Sequence, residues 1–326
     1  ILVNVAGGTV RRIRIEGNTI LNTQGASIAF DGGAGSADVL WVIDNHIEGT
    51  HDTAVGFGIW LAGSIWDAAI KFIEGNYVGP IGAGVTAGDH YGLRGDFCFL
   101  INNEAVGAQN DGFAFGNIGL SENDWVIQGN RARNNGDQGF MFYRVMRSAI
   151  IGNFASGNGQ AGFQARGIQR NQIVGNHGRG NLAQGGIVLL NDLEGVPAGC
   201  LDNTILGNEC NDNTGTGIDE QGLANNNTIL GNRVGGNTIA QITRVGANTL
   251  VARNIGYRTE NSGASVGTGA QQPIAHGLSF TPTAQQIALT PGSATALPYH
   301  SAAPDATNIY VTAALNQAWY WATAGQ

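Results

Sequence analysis

The sequence predicts an all-β chain: a right-handed parallel β-helix of about ten coils over residues 1–261, followed by a small antiparallel β-module over 262–326. Three observations carry this. Asparagines that close short aliphatic runs recur at Asn18, Asn45, Asn76, Asn103, Asn130, Asn153, Asn176, Asn208, Asn232 and Asn254, at intervals of 27, 31, 27, 27, 23, 23, 32, 24 and 22. A repeat of that length marks a solenoid whose units stack on their neighbours. Between the asparagines lie short β-branched and apolar runs cut by Gly and Asn, with no sustained helical period, so the units are strands and turns. After Arg258 the texture changes to "TENSGASVGTGAQQP", beyond which Asp305 is almost the only charge.

Each element follows from residue chemistry. Glycine precedes the aligned Asn at seven of the ten positions, because a sharp corner takes left-handed backbone that Gly and Asn tolerate best. Stacked Asn side chains can bond to the coil above and below. Aligning on the glycines at 58, 92, 112, 139, 162, 186 and 217 puts Ile59, Leu93, Phe113, Phe140, Phe163, Ile187 and Ile218 on the inside as one apolar column. Right-handedness follows from the general preference of β-crossovers. In the last segment, Gln286–Leu289, Asn308–Thr312 and Trp319–Trp321 alternate and are punctuated by prolines, which reads as antiparallel strands.

The totals exclude several functions. The chain has 326 residues, a formal charge of −8 and one lysine, Lys71, with no basic run to follow a phosphate backbone, so nucleic acid is not an expected partner. No apolar segment approaches the roughly 20 residues of a membrane helix, and no membrane insertion is expected. The opening "ILVNV" starts in mid-strand without Met, which points to a longer parent protein. Cys98, Cys200 and Cys210 lack zinc-site spacing and leave at least one thiol free. Cys98 between two phenylalanines reads as a small buried hydrophobe, while Cys200 and Cys210 can approach on successive turns without any bridge being implied.

Candidate chemistry lies on the outside of the coils. Outward positions place Trp60, Arg94, Asp96, Tyr143 and Arg166 on neighbouring coils, an aromatic beside charged donors and acceptors that suits a sugar. A ribbon of ordinary solvated side chains would look the same. Just before the aligned glycines, acid recurs as Asp89, Asp111 and Asp137. Adjacent coils would set Asp111 and Asp137 roughly 5 Å apart, as in a retaining glycosidase, and Asp89 and Asp137 near the inverting range. Either pair needs one raised pKa, and turn-forming Asp is the plainer reading of the same corner. Asp219–Glu220 offers an acid/base pair at the distal end but reads more simply as a solvated turn, and Asp192 and Glu194 lie in the longest insertion.

The Gly-Asn repeats over residues 1 to about 258 resemble the parallel β-helix families that include pectate lyases, polysaccharide epimerases and bacteriophage tailspikes. His276-Gly277-Leu278, Pro282, Asp305 to Val311 and the closing aromatic strand resemble the small C-terminal β-domains that follow β-helices in phage tail proteins. The resemblance implies a homotrimer of a virion tail or another extracellular protein, binding a polysaccharide and, as an enzyme, depolymerising it by hydrolysis. Two alternatives stay open. One is a secreted lyase or epimerase in which the same carboxylates hold Ca²⁺ and Arg94 or Arg166 assists proton abstraction. The other is a non-catalytic adhesive fibre segment. The hydrolase reading needs no cofactor.

Overall fold

The computed structural model describes residues 1–5, 9–23, 25–32, 36–49, 57–62, 69–80, 88–116, 121–191, 199–292 and 296–323. They divide into two compact units, Ile1–Thr228 with Asn232–Thr249, and Ile229–Gly231 with Leu250–Gln326.

In the first unit the chain winds through three parallel sheets in turn. One sheet runs through ten strands from Leu2–Val5 to Ile242–Thr243; among them are Ile59–Ala62, Tyr91–Leu93, Phe113–Phe115, Phe140–Tyr143, Ala161–Arg166 and Gly185–Leu190. A second begins at Thr9–Glu16 and includes Ser36–Ile43, Cys98–Ile101 and Thr204–Leu206, and a third of nine strands runs from Thr19–Leu21 to Arg233–Gly235. Every strand pairs with the equivalent strand one coil on, which is a parallel β-helix, as the repeat predicts.

Three asparagine ladders hold the corners. In the predicted one, Asn18, Asn45, Asn76, Asn103, Asn130, Asn153, Asn176 and Asn208 each donate from Nδ2 to the Oδ1 of the next, as far as Asn232, at 2.9–3.0 Å. The residue before each is left-handed; where Gly is missing, Asp44 and Asn102 adopt the same conformation at φ 52° and 55°. Five residues downstream runs a second ladder, Asn135, Asn158, Asn181, Asn213 and Asn237. Five residues upstream runs a third, Asn171, Asn203 and Asn227, entered from the Ser148 N–H. The Asn-x₄-Asn-x₄-Asn spacing of 171–176–181 and 203–208–213 is written in the sequence.

The inner column differs from the expected one at a single coil. Tyr91, not Leu93, lies level with Ile59 and Phe113, and the column continues through Phe140, Phe163, Ile187 and Ile218. Gly92 therefore sits level with Trp60 and Ala114, and His90 with the other aligned glycines. Rings in the column stack at the rung spacing, with centroids 4.4 Å apart for Tyr91–Phe113 and 4.8 Å for both Phe113–Phe140 and Phe140–Phe163. Leu93 is also buried, two places along.

Glu220 corrects the solvated-turn reading of Asp219–Glu220. It is fully buried, level with Leu189, and its Oε1 accepts from Asn227 Nδ2 at 2.8 Å and Thr249 Oγ1 at 2.9 Å. A buried carboxylate persists only with such donors. The three cysteines are free and buried, and burial pushes each thiol up to about 12, so they act as inert packing groups.

The second unit contains two three-stranded antiparallel sheets. Ser262–Val266, Ala318–Thr323 and Ile287–Pro291 form one; Gln271–Ala275, Asn308–Thr312 and Tyr299–Ala302 form the other. They share a core of Ile287, Ile309, Val311, Ala313, Trp319 and Trp321. Asp305, the lone acid of the segment, is fixed by Thr307 N–H, Asn308 N–H and Tyr310 O–H, donors that hold its carboxyl well below the usual range. His276 is buried, bridging Asp305 O at 3.0 Å and the Leu278 N–H at 3.0 Å.

Candidate functional site

The outward column of the first sheet runs Trp60, Gly92, Ala114, Met141, Gln164, Val188 and Asp219. Its character changes along the helix. Met141, Gln164 and Val188 are buried in spite of their outward register, whereas Trp60 and Ala114 stay accessible. Around the accessible end Phe57, Trp60, Asp89, Gly92, Leu93, Arg94, Ala114, Gly116 and Tyr143 enclose a groove of about 180 Å³.

Gly92 makes the floor of that groove. A Cβ there would stand 2.4 Å from Trp60 Cε3 and 2.6 Å from Cζ3, so the indole lies across the next rung only because that rung has no side chain. The Phe57 ring packs 4.0 Å from the Trp60 ring, and the Arg94 guanidinium lies over it at 5.4 Å, a cation–π contact. Arg94 is two residues further along than the glycine alignment placed it, and it reaches Trp60 by leaning back. The φ of Gly92 is not left-handed, so Gly92→Ala should fold with little change in melting temperature. It should displace the indole, altering tryptophan fluorescence; an unchanged spectrum would contradict the stacked floor.

Asp89 joins the acid corner to the same groove. Asp111 donates its N–H to Asp89 Oδ1 at 3.2 Å, and Gln138 donates its N–H to Asp111 Oδ1 at 2.9 Å. Asp89, Asp111 and Gln138 thus share one register position on successive rungs. Asp137 is one residue off, its N–H going to Asn110 O at 2.9 Å. Asp137 is therefore a diagonal neighbour of Asp111, not the direct partner that the spacing suggested.

Electrostatics single out the first two. Burial raises Asp89 to about 6, against the Asp111 N–H, with the Asp137 charge adding to the rise. Burial and then the Asp89 charge push Asp111 well above the usual carboxylate range, while its Gln138 hydrogen bond and Arg166 pull the other way. Two adjacent carboxyls that both resist ionisation titrate as a pair.

The remaining expected residues divide. Tyr143 lines the groove, and Arg166 is its register neighbour on the next rung. Arg166 Nε donates to Gln164 Oε1 at 3.3 Å. Asp96 is engaged elsewhere: its Oδ1 accepts the Asn123 N–H at 2.6 Å and Nδ2 at 3.0 Å, and its carbonyl accepts from Lys71 Nζ at 2.6 Å. That places Asp96 at a coil corner, not among the groove-lining residues. Asp192 and Glu194 lie outside the described residues. Among the described residues no group of three or more His, Cys, Asp or Glu side chains is placed to hold a metal ion.

Sequence spacing had missed the contributions of Phe57 and Gly92 to the groove, and it placed Gln164 outward and Gln184 near the acid corner without the bond between them. Gln164 Nε2 donates to Gln184 Oε1, which carries the polar stripe from the acid corner into the sheet face. A glycine breaking the alignment on the coil after an outward tryptophan was the available signal for Gly92.

The family described as "Right handed beta helix region" matches residues 81–255. The chain belongs to this right-handed β-helix family. No curated protein matches it in sequence. Among solved structures, this β-helix protein is similar to the A-module of mannuronan C-5 epimerase AlgE6 from Azotobacter vinelandii, with 19% identity and a TM-score of 0.55 over 74% of this chain and 64% of that one. It is similar to the periplasmic alginate epimerase AlgG at 15% identity and TM-score 0.51, covering 78% of this chain and 68% of AlgG. It is also similar to the tailspike protein gp49 of Pseudomonas phage LKA1 at 12% identity and TM-score 0.50, covering 92% of this chain and 67% of gp49. At these identities the likeness is one of fold. The chain spans less than two thirds of the AlgE6 module's length.

Proposed function

We propose that this β-helix protein binds a host-surface polysaccharide in the groove at Trp60, Arg94 and Tyr143 and cleaves it at the acid corner, as a tailspike-like homotrimer of a virion tail. The observation that carries the reading is that Asp89, a carboxyl raised to about 6, opens into the same groove as Trp60, Arg94 and Tyr143. An aromatic face, a guanidinium and a proton donor are the groups that glycoside hydrolysis uses. The fold likeness to gp49, printed as a tailspike protein, is consistent with it.

The proposed chemistry follows from the register. Asp89 and Asp111 hold a proton between them near neutral pH, and Asp89, facing the groove, delivers it to the leaving glycosidic oxygen. Asp137, two rungs from Asp89 and so roughly 10 Å away, is the base that activates water from the opposite side. That separation is close to that of inverting enzymes, so the released reducing end should carry inverted configuration. Proton NMR of the first product formed from capsular or O-antigen polysaccharide checks this; retained configuration would move the second carboxylate to Asp111.

The second reading, a uronate lyase or epimerase, is favoured by one observation. Arg94 lines the groove and Arg166 follows the groove-lining Tyr143 on the next rung, an arrangement to set beside the AlgE6 and AlgG likenesses at TM-scores of 0.55 and 0.51. Unsaturated products or altered uronate composition after incubation with uronate polymers would select it over hydrolysis. The nearly uncharged C-terminal segment, with Asp305 its lone acid, supports assembly through that unit. Light scattering should give three times the chain mass; a monomer would remove the tailspike part of the proposal and leave the groove chemistry standing.

A further inference from the structure

Gln164 is in the wrong place for an ordinary surface glutamine. Its register is outward, between Met141 and Val188, yet it is fully buried, and both ends of its amide are engaged. Nε2 donates to Gln184 Oε1, and Oε1 accepts from Arg166 Nε at 3.3 Å. Gln184 belongs to the corner itself, one residue before Gly185, which pairs with Ala161 as Asp89 pairs with Asp111 and Gln138. The amides therefore connect the acid corner to the Arg166 guanidinium, whose charge reaches Asp111.

We propose that Gln164 and Gln184 are positioning residues that hold Arg166 back along the sheet, aiming its guanidinium into the acid end of the groove to meet an oxygen of the bound glycan. The assignment rests on the groove's being a glycan site. Arginine's planar fork suits this: once Nε is tied to Gln164, the two terminal nitrogens face one direction and can bind a glycan oxygen in a fixed geometry. Left untied, so long a side chain would spread over many rotamers in solvent. Asp111 is faced by Asp89 and Asp137, which disfavour its charge, and by Arg166, which favours it.

Carbon-detected NMR of aspartate carboxyls in the full chain follows the Asp111 titration without any glycan. Gln164→Leu and Arg166→Leu should each move that titration upward by the same amount, and the double variant should move it no further. Gln184→Ala, which leaves the buried amide in place, should give a smaller shift in the same direction, and it serves if Gln164→Leu fails to fold. A wild-type titration in both Gln164→Leu and Gln184→Ala would overturn the proposal, as would additive shifts in the double variant. Affinity for a capsular oligosaccharide bound by the wild type should fall about tenfold in either single variant and no more in the double. If the wild type binds no oligosaccharide, the glycan reading of the groove fails while the titration still decides whether the two glutamines hold Arg166.

Discussion

Asn153→Ala should destabilise the β-helix by on the order of 3–6 kcal/mol, a large fraction of the 5–15 kcal/mol that holds a typical domain folded. Asn153 is fully buried and makes four side-chain hydrogen bonds. Its Oδ1 accepts from Asn130 N at 3.0 Å and Nδ2 at 2.9 Å; its Nδ2 donates to Ile127 O at 2.8 Å and Asn176 Oδ1 at 2.9 Å. Truncation leaves the Asn130 N–H, the Asn130 amide and the Ile127 carbonyl without those partners, in a space no residue can refill. Each such buried group costs about 1–3 kcal/mol. Asn153→Asp should do no better, since a carboxylate cannot donate to Ile127. Urea denaturation followed by circular dichroism measures the loss. A loss under about 1 kcal/mol would mean the ladders are incidental to stability, and that burial of the aromatic column alone holds the coils.

Asp89→Asn should abolish polysaccharide cleavage and yet stabilise the protein at neutral pH. Asn keeps an Oδ1 for the Asp111 N–H but cannot deliver the proton. The stability sign follows from linkage. The folded pKa of Asp89 lies above its unfolded value, so between pH about 4 and 6 the native state binds more protons than the unfolded one. This contribution therefore falls as pH rises through that window, and the cost is complete above about 6. Removing the carboxyl removes a cost of about 1–3 kcal/mol at pH 7.5 and almost none at pH 4, so the variant's melting temperature should exceed the wild type's by several degrees only at the higher pH. A lower melting temperature at pH 7.5 would mean that Asp89 is held as a favourable anion. Full cleavage by Asp89→Asn, with folding intact, would dismiss the acid corner.

Position by position, the legible part of the fold was the part with local cause. The Asn that ends each aliphatic run, the left-handed residue before it and the alternation of the strand after it are set by backbone sterics and hydrophobicity within a few residues, and they were correct from Asn18 to Asn232. Tyr91 shows where local cues gave out. Gly92 resembles the corner glycines, but it is glycine because the Trp60 indole, one coil earlier, lies across it. A contact between residues 32 apart leaves no periodic trace.

The site shows the same division. The recurrence of acid at Asp89, Asp111 and Asp137 and of Trp60, Arg94, Tyr143 and Arg166 near the aligned glycines was visible, because stacking coils turn sequence period into spatial proximity. Which carboxyls share a rung position was not, because the corner is offset by a single residue between rungs, which no period in the sequence reveals. Asp137 falls on the other side of that step from Asp111, and Asp96 is claimed by Asn123 on the following coil. Sequence by itself determined the winding of this chain, since glycine, asparagine and alternating apolar residues act through neighbours a few bonds away. Only the tertiary structure decided which carboxyls lose their water together and which arginine faces them, since desolvation and charge act through space between coils that the chain reaches two dozen residues apart.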